Sequence, residues 1–254
     1  MFNRLLLFSF FILLFSNCSK NNTENKDALF TKLDTTATGI KFVNEVKNGV
    51  DMNIFKYRNF YNGGGVAIGD INNDGLADVF FTSNLGDNKL YLNKGNFKFE
   101  DISKKAGIDL PKSWSTGVNM IDINGDGLLD IYVSNAGNNI NSIRKSQLYI
   151  NNGNLTFTDK AEQYNLADTG ITTHAAFFDY DKDGDLDCYI LNNSFIPVSS
   201  LNYSNKRDLR DKDWDVAPIL KGGGDKLMRN DNGKFVDVSK EAGIYGSLIG
   251  FGLG

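Results

Sequence analysis

Three short acidic segments of this 254-residue chain have the residue types and spacing of a metal-binding loop. Each is nine residues long, with Asp or Asn at positions 1, 3, 5 and 9 and glycine at position 6. They run from Asp70 to Asp78, from Asp122 to Asp130 and from Asp179 to Asp187. Calcium prefers about six to eight oxygen ligands, and odd-numbered side chains of a tightly curled loop converge on one point. The sequence therefore predicts about three structural Ca²⁺ sites.

The predicted ligands are the side chains at positions 1, 3, 5 and 9 and the backbone carbonyl at position 7. They are Asp70, Asn72, Asp74, Leu76 and Asp78; Asp122, Asn124, Asp126, Leu128 and Asp130; and Asp179, Asp181, Asp183, Asp185 and Asp187. The alternative is a turn held by hydrogen bonds from Asp and Asn side chains to their own backbone, which needs no metal. Calcium is the favoured interpretation, because carboxylates packed this closely repel one another unless a cation is present.

The residues around the loops exclude an EF-hand and predict strands. An EF-hand requires glutamate at position 12, where this chain has Phe81, Val133 and Ile190. On both sides of each loop the sequence is rich in β-branched and aromatic residues, which is typical of strands. Each site is therefore predicted to be a strand–loop–strand unit.

A second shared stretch follows each loop and completes a repeat. It begins at Lys89, Gln147 and Lys226, and it consists of two short apolar runs joined by an Asn/Gly turn, which predicts a hairpin. Four strands recurring at this spacing are typical of a β-propeller blade. The predicted fold is all-β, a partial β-propeller of about three four-stranded blades plus the start of another. Residues 30–40 resemble 99–108 and predict a lone outer strand, and 247–254 resemble the entry to a further first strand.

The loop pattern Asp-x-[Asp/Asn]-x-Asp-Gly-x-x-Asp between strands resembles the FG-GAP/VCBS repeat proteins, calcium-binding β-propellers related to the head of integrin α chains. The resemblance covers about residues 30–254. It is closest to bacterial surface proteins whose longer members end in an ASPIC/UnbV-type domain. The Phe-Gly element survives only as Phe251-Gly252, and the Gly-Ala-Pro element is replaced by strings such as Gly64-Gly65-Val66-Ala67. The resemblance implies a propeller in which calcium is structural.

The first residues predict export. Residues 1–17 read as a signal peptide, because Arg4 precedes a predominantly apolar run, Leu5–Phe15, that is too short to span a bilayer. Cys18 directly after this segment resembles the processing site of bacterial lipoproteins, so we expect it to be lipidated, with residues 18–29 as a polar tether. The expected location is the bacterial cell envelope, at the outer membrane or cell surface. Plain secretion is the alternative.

Charge and cysteine content narrow the function classes. The net charge is −4 and no basic block is present, so nucleic acid is not an expected partner. The chain has only two cysteines. With Cys18 lipidated, Cys188 stands alone beside Asp187, and we expect it to be a small buried apolar residue rather than a reactive thiol.

Ligand binding is predicted on the face opposite the acidic loops. The connection from Asn192 to Gly224 is long, and it carries residue types that contribute binding energy at interfaces. The alternative is an insertion that packs on its own blade. His174, the only histidine, is expected near the channel mouth. The candidate ligand-face residues are His174, Tyr203, Arg207, Arg210 and Trp214.

These features favour a binding module over an enzyme. No convincing catalytic set forms around the single histidine and no phosphate-binding glycine loop is present, so no catalytic residue is predicted and no cofactor besides calcium. The predicted function is a cell-surface calcium-binding propeller that adheres to a glycan or a protein. The alternative is part of a calcium-dependent polysaccharide-degrading enzyme of the lyase type. That alternative requires basic, histidine and tyrosine side chains to converge on one groove.

Overall fold

The structure, a computed structural model, describes residues 28–50, 52–55, 57, 59–108, 113–136, 144–193 and 224–244. The chain divides into two compact units, Met1–Asp34 and Thr35–Gly254. Residues 28–34, the described part of the first unit, contain no strand or helix. All the described strands and helices belong to the second unit.

Twelve described strands of the second unit form three antiparallel sheets of four strands each. The first sheet contains β1 (Val66–Gly69), β2 (Asp78–Phe81), β3 (Lys89–Asn93) and β4 (Phe99–Asp101). The second contains β5 (Trp114–Ile121), β6 (Asp130–Ala136), β7 (Gln147–Asn151) and β8 (Phe157–Asp159). The third contains β9 (Thr172–Phe178), β10 (Asp187–Asn192), β11 (Lys226–Asn230) and β12 (Phe235–Asp237). Strands adjacent in sequence are adjacent in each sheet. The predicted fold class, an all-β chain in a partial propeller-like arrangement, is confirmed.

The described residues include three single-turn helices, of which the second and third follow the outer strands β4 and β8. They are α1 (Thr35–Thr38), α2 (Ser103–Ala106) and α3 (Ala161–Tyr164). The residue after each has a positive φ, 80° at Gly39, 76° at Gly107 and 63° at Asn165, a conformation common at helix C-termini. Among the described residues, no helix has the length and apolar character needed to cross a bilayer.

The predicted lone strand within residues 30–40 is wrong for this structure. Residues 28–34 form no strand and Thr35–Thr38 is helical. The sequence similarity to 99–108 is nevertheless reflected locally, because α1 followed by Gly39 repeats α2 followed by Gly107. The physical reason for the difference is that an outer strand forms only when a neighbouring strand supplies its hydrogen bonds.

We call the three sheets blades 1, 2 and 3, and two apolar clusters pack them in sequence. The first cluster joins Phe80, Leu90 and Leu92 of blade 1 to Ile131 and Val133 of blade 2. The second joins the opposite face of blade 2 to blade 3; its members include Tyr132, Leu148, Ile150, Cys188, Ile190 and Met228. Every residue of β6 is buried because both faces of blade 2 are covered. Alternating side chains of one strand therefore serve two different interfaces.

Threonine hydroxyls connect the blades near their first strands. The Oγ1 of Thr82 donates to the carbonyl of Thr116 at 2.5 Å, and the Oγ1 of Thr116 donates to the carbonyl of Thr172 at 2.7 Å. Thr82 and Thr116 are buried, and Thr172 is fully buried. Each hydroxyl thus satisfies a backbone carbonyl of the next blade that would otherwise lose hydration without compensation.

The repeat places equivalent residues of blades 1 and 2 in opposite environments. Val66 and Ile68 of β1 occupy the positions that Val118 and Met120 hold in β5. Val118 is 5% exposed and packs against blade 1, whereas Val66 is 55% exposed and Ile68 is 67% exposed. The two valines therefore form a matched pair, with the same sequence position in the repeat and different burial.

We expect Val118→Asp to destabilise the fold far more than Val66→Asp. A carboxylate at Val118 would be buried without a partner, at a cost of about 3 kcal/mol or more. At Val66 it would remain hydrated, and the change should stay within about 1 kcal/mol. Denaturant unfolding of both variants measures the difference. Equal losses of stability would contradict this assignment of faces.

Candidate metal centre

Each acidic loop connects the first two strands of its blade. Position 1 (Asp70, Asp122 or Asp179) is the first residue after β1, β5 or β9. Position 9 (Asp78, Asp130 or Asp187) is the first residue of β2, β6 or β10. The strand residues on either side pair directly: Gly69 with Asp78, Ile121 with Asp130 and Phe178 with Asp187. The predicted strand–loop–strand units are confirmed.

In each loop the backbone curls around the carboxylate of the aspartate at position 1. Asp70 accepts hydrogen bonds from the backbone N–H groups of Asp74 at 3.2 Å and Gly75 at 2.7 Å. Asp122 accepts them from Asp126 and Gly127, and Asp179 from Lys182 and Gly184. The glycines at position 6 have φ angles of 83°, 84° and 98°, values that a side chain would penalise. This explains the glycine in all three copies.

The aspartate at position 9 is fully buried in every blade and accepts hydrogen bonds from both the loop and the third strand, so we call it the hub of the blade. Asp130 accepts the N–H of Ile123 on one carboxylate oxygen at 3.2 Å and the N–H of Asn151 on the other at 2.8 Å. The equivalent bonds to Asp78 and Asp187 have lengths between 2.6 and 3.0 Å. All three aspartates are 0% exposed. The hub thus ties the start of the loop to the third strand of the blade.

The burial of this hub has an electrostatic cost. Burial raises the pKa of Asp130 to about 6, and the negative charges of Asp126 and Asp122 act in the same direction, while the two backbone hydrogen bonds oppose the rise. Burial also raises the pKa of Asp78. An ionised carboxylate at position 9 of the first two loops is therefore destabilised unless positive charge lies nearby.

In the third loop, three carboxylates converge. One oxygen from each of Asp179, Asp181 and Asp187 lies within 4.8 Å of the other two. Two oxygens on opposite sides of a calcium ion are about 5 Å apart, so these three can belong to one coordination sphere. Burial and the charges of neighbouring aspartates raise the pKa of Asp181. The donors are all hard oxygens, so they fit Ca²⁺ in chemistry as well as in spacing.

The first two loops have Asn at position 3, where the third loop has Asp181. The side-chain amide of each Asn donates a hydrogen bond to the aspartate at position 5 of its own loop. The Nδ2 of Asn72 donates to Asp74 at 3.0 Å, and the Nδ2 of Asn124 donates to Asp126 at 2.9 Å. Among the described residues, a group of three carboxylates this close occurs only in the third loop. The N–H groups of Leu76, Leu128 and Asp185 at position 7 donate to the aspartate at position 5. The predicted use of their carbonyls as ligands stays a prediction.

Sequence reasoning missed the asparagine at the end of each third strand. The Nδ2 of Asn93 donates to the carbonyl at position 8 of its loop at 2.8 Å, and the backbone N–H of Asn93 donates to Asp78. Asn151 and Asn230 repeat both contacts. Asn151 also donates to the carbonyl of Ile71 in blade 1 at 2.8 Å. The sequence does contain a signal for this contact, since the asparagine occurs at the equivalent position of all three shared stretches.

The predicted ligand-face residues are only partly within the described chain. His174 lies in β9 and is exposed, although partial burial lowers its pKa. Tyr203, Arg207, Arg210, Trp214, Cys18 and Phe251 lie outside the described residues. Cys188 is fully buried and burial raises the pKa of its thiol, which confirms its predicted role as a small apolar core residue.

Comparison with known proteins identifies the repeat. The model of the FG-GAP-like repeat family matches residues 51–133 and 136–190. Cartilage acidic protein 1 of Xenopus tropicalis is 35% identical over 136 residues, which is 53% of this chain and 20% of that protein. The mouse protein of the same name is 32% identical over 143 residues, covering 55% and 21%. The chain thus spans about a fifth of the length of these curated relatives.

A solved structure gives a weaker likeness. It is that of an Agrocybe aegerita lectin, described for its specific recognition of non-reducing terminal N-acetylglucosamine. It is 18% identical and aligns with a TM-score of 0.34, over 73% of this chain and 38% of its own. At that score the likeness supports no conclusion about fold or ligand.

The buried hub predicts an unusual pH dependence for the metal-free protein. Asp130 has a folded pKa of about 6 against an ordinary value of 3.8, so protonation favours the folded state. This contribution is present below about pH 4 and is lost as the pH rises through about 6. In the presence of a chelator, we expect Asp130→Asn to remove part of the decline in stability of the wild-type protein between pH 4.5 and 7. Denaturant midpoints measure this effect, and identical pH profiles of the two proteins would contradict it.

Proposed function

Because the chain belongs to the FG-GAP-like repeat family, we propose that it is an exported, calcium-stabilised β-propeller module that binds a glycan or a protein. The observation that supports calcium most directly is the convergence of Asp179, Asp181 and Asp187 in the third loop. The same loop pattern and the same buried aspartate at position 9 recur in blades 1 and 2. The proposed role of the metal is structural.

Bound calcium would supply the positive charge that the buried hubs lack. The ligands in each loop would be the side chains at positions 1, 3, 5 and 9 with the carbonyl at position 7. The loop would then hold its curl through the metal as well as through the N–H groups bonded to position 1. A metal that binds only the folded state stabilises it by mass action.

Binding, rather than catalysis, is the proposed activity for two reasons. Among the described residues, the exposed His174 has no nucleophile or carboxylate hydrogen-bonded to it. The family match is to a repeat, and each described copy of that repeat forms a four-stranded sheet. The alternative is part of a polysaccharide-degrading enzyme, and a panel of polysaccharides separates the two. Release of reducing or unsaturated ends would favour the enzyme, and retention without cleavage the binding module.

The proposed location is the surface of a bacterial cell envelope. The apolar run Leu5–Phe15 followed by Cys18 supports export and lipidation, as in the bacterial surface lipoproteins related to ASPIC/UnbV-containing proteins. Expression of Cys18→Ala tests the anchor, because the variant should move from the membrane fraction to the soluble fraction. Retention of the variant in the membrane fraction would contradict a lipid anchor.

We expect calcium binding to be measurable and loop-specific. Calorimetry of the metal-free protein should detect about three equivalents, and millimolar calcium should add on the order of 1 kcal/mol of stability per loop for sites of about 10⁻⁴–10⁻³ M affinity. Chelation should lower the melting temperature. Asp126→Ala should abolish one equivalent, because position 5 loses its carboxylate.

The matched control is Asp87→Ala, which removes an exposed aspartate outside the acidic loops. It should leave both the stoichiometry and the effect of chelation unchanged. If the wild-type protein takes up no calcium, the loops are turns held only by their own hydrogen bonds. That result would overturn the calcium part of the proposal. Ligand binding would still be tested by the polysaccharide panel.

A further inference from the structure

The first two acidic loops are bridged across the gap between blades 1 and 2. Asn73, at position 4 of the first loop, donates a hydrogen bond from its Nδ2 to the carbonyl of Gly127, at position 6 of the second loop, over 3.0 Å. Asn73 has a φ of 57°, so its side chain projects from a left-handed residue toward the next blade. This contact closes the junction between the two loops.

Among the described residues, no such bridge is present at the corresponding junction between the second and third loops. Position 4 of the second loop is Gly125, with a φ of 71°, and apart from its two chain neighbours no atom of the described residues lies within 4 Å of the place where its Cβ would be. A cavity of about 490 Å³ lies here instead, between blades 2 and 3. Its volume falls within the range of about 300–1,000 Å³ that is usual for small-molecule sites. The lining of the cavity includes the polar side chains of Asp122, Asn124, Tyr164, Asp185 and Asn232.

With the proposed calcium bound in the two adjacent loops, the negative charge of Asp122 and Asp185 would be compensated, and the lining then favours a neutral ligand that is rich in hydroxyl groups. Asn232 provides an exposed amide, and Tyr164 provides the edge or face of a half-buried ring. Among the described residues around the cavity there is no cationic side chain, which disfavours phosphate, sulfate and carboxylate groups. The apolar side chains there are Ile123 and Leu186, too few to favour a hydrophobic ligand.

The third loop contributes a free acceptor at this cavity. Position 7 is leucine in the first two loops and Asp185 in the third. The Oδ1 of Asp185 is buried and accepts no hydrogen bond within the described structure. A buried carboxylate oxygen without a donor costs free energy. Oδ1 itself has no exposed surface, so a ligand hydroxyl would donate to this carboxylate through its other oxygen. Asp122 differs, because the N–H groups of Asp126 and Gly127 already occupy its two oxygens.

We propose that the cleft between the second and third acidic loops, open because Gly125 replaces the bridging asparagine, binds a neutral sugar unit of a glycan. The inference rests on the proposed function as a binding module and deepens it by naming a site and a ligand class. It places this site on the face of the acidic loops, opposite the face that the sequence suggested.

The test closes the cleft by restoring the side chain that the first junction carries. Gly125→Asn places an asparagine at a left-handed residue, a conformation that asparagine tolerates, where it should reach the carbonyl of Gly184 as Asn73 reaches Gly127. The probes are methyl glycosides of glucose, galactose, mannose, fucose and N-acetylglucosamine, added to the calcium-loaded full chain. Ligand-observed NMR and calorimetry should show binding of at least one glycoside. We expect Gly125→Asn to weaken it at least about tenfold.

Two controls make the result specific. Asn73→Gly opens the other junction and should leave glycoside affinity within about twofold of the wild type. Calcium stoichiometry and melting temperature of Gly125→Asn should match those of the wild type, which excludes a misfolded loop. Asp185→Asn should also weaken binding, because an amide oxygen is a poorer acceptor than a carboxylate.

Three outcomes would overturn the inference. If a glycoside binds and Gly125→Asn binds it equally well, the site lies elsewhere, although the proposed glycan-binding function stands. If no glycoside binds the wild type, the sugar assignment of this cleft fails. The proposed function is then tested separately, by calcium uptake and by retention of polysaccharides. If the cleft instead binds a lysine-rich peptide in a manner that Gly125→Asn abolishes, the ligand class is wrong.

Discussion

A buried carboxylate at the start of each second strand is the interaction on which the structure depends. It receives one N–H from its own loop and one from the third strand, so a single side chain fixes the loop, the first hairpin and the third strand together. The arrangement places a potential negative charge where solvent cannot reach it. Two N–H groups partly compensate that charge, and a cation in the loop would compensate the rest. Local folding and the proposed metal binding thus depend on the same atoms.

The loop and its buried aspartate recur in three neighbouring blades, which pack into an array. Because alternate residues of a strand face opposite sides of the sheet, a blade with apolar residues on both faces needs a neighbour on each side. Blade 2 has both neighbours, and its second strand is buried throughout. On β1 the equivalent apolar positions, Val66 and Ile68, are exposed. Stability in such an array comes from the interfaces between units as much as from the units themselves.

The sequence predicted the parts of the molecule that depend on local chemistry. The loop pattern, with glycine at position 6, gave the strand–loop–strand units, and the hairpin turns gave the third and fourth strands. It did not reveal the asparagines that join loop to strand, because Asn93 reads as an ordinary turn residue until Asp78 is known to be buried beside it. The strand expected within residues 30–40 was wrong, because the formation of an outer strand depends on a partner that local sequence does not specify.

Differences among the copies carry more functional information than their common pattern. What the three loops share is explained by the curl of the loop, the burial of position 9 and the proposed metal binding. The side chain at position 4 contributes to none of these, since only its left-handed backbone conformation is common to Asn73, Gly125 and Lys182. The side chain at this position differs from copy to copy: Asn73 bridges blades 1 and 2, whereas Gly125 has no side chain and lies beside the cleft between blades 2 and 3. A repeat scaffold can in this way change a surface by one residue while its buried hubs keep the fold unchanged.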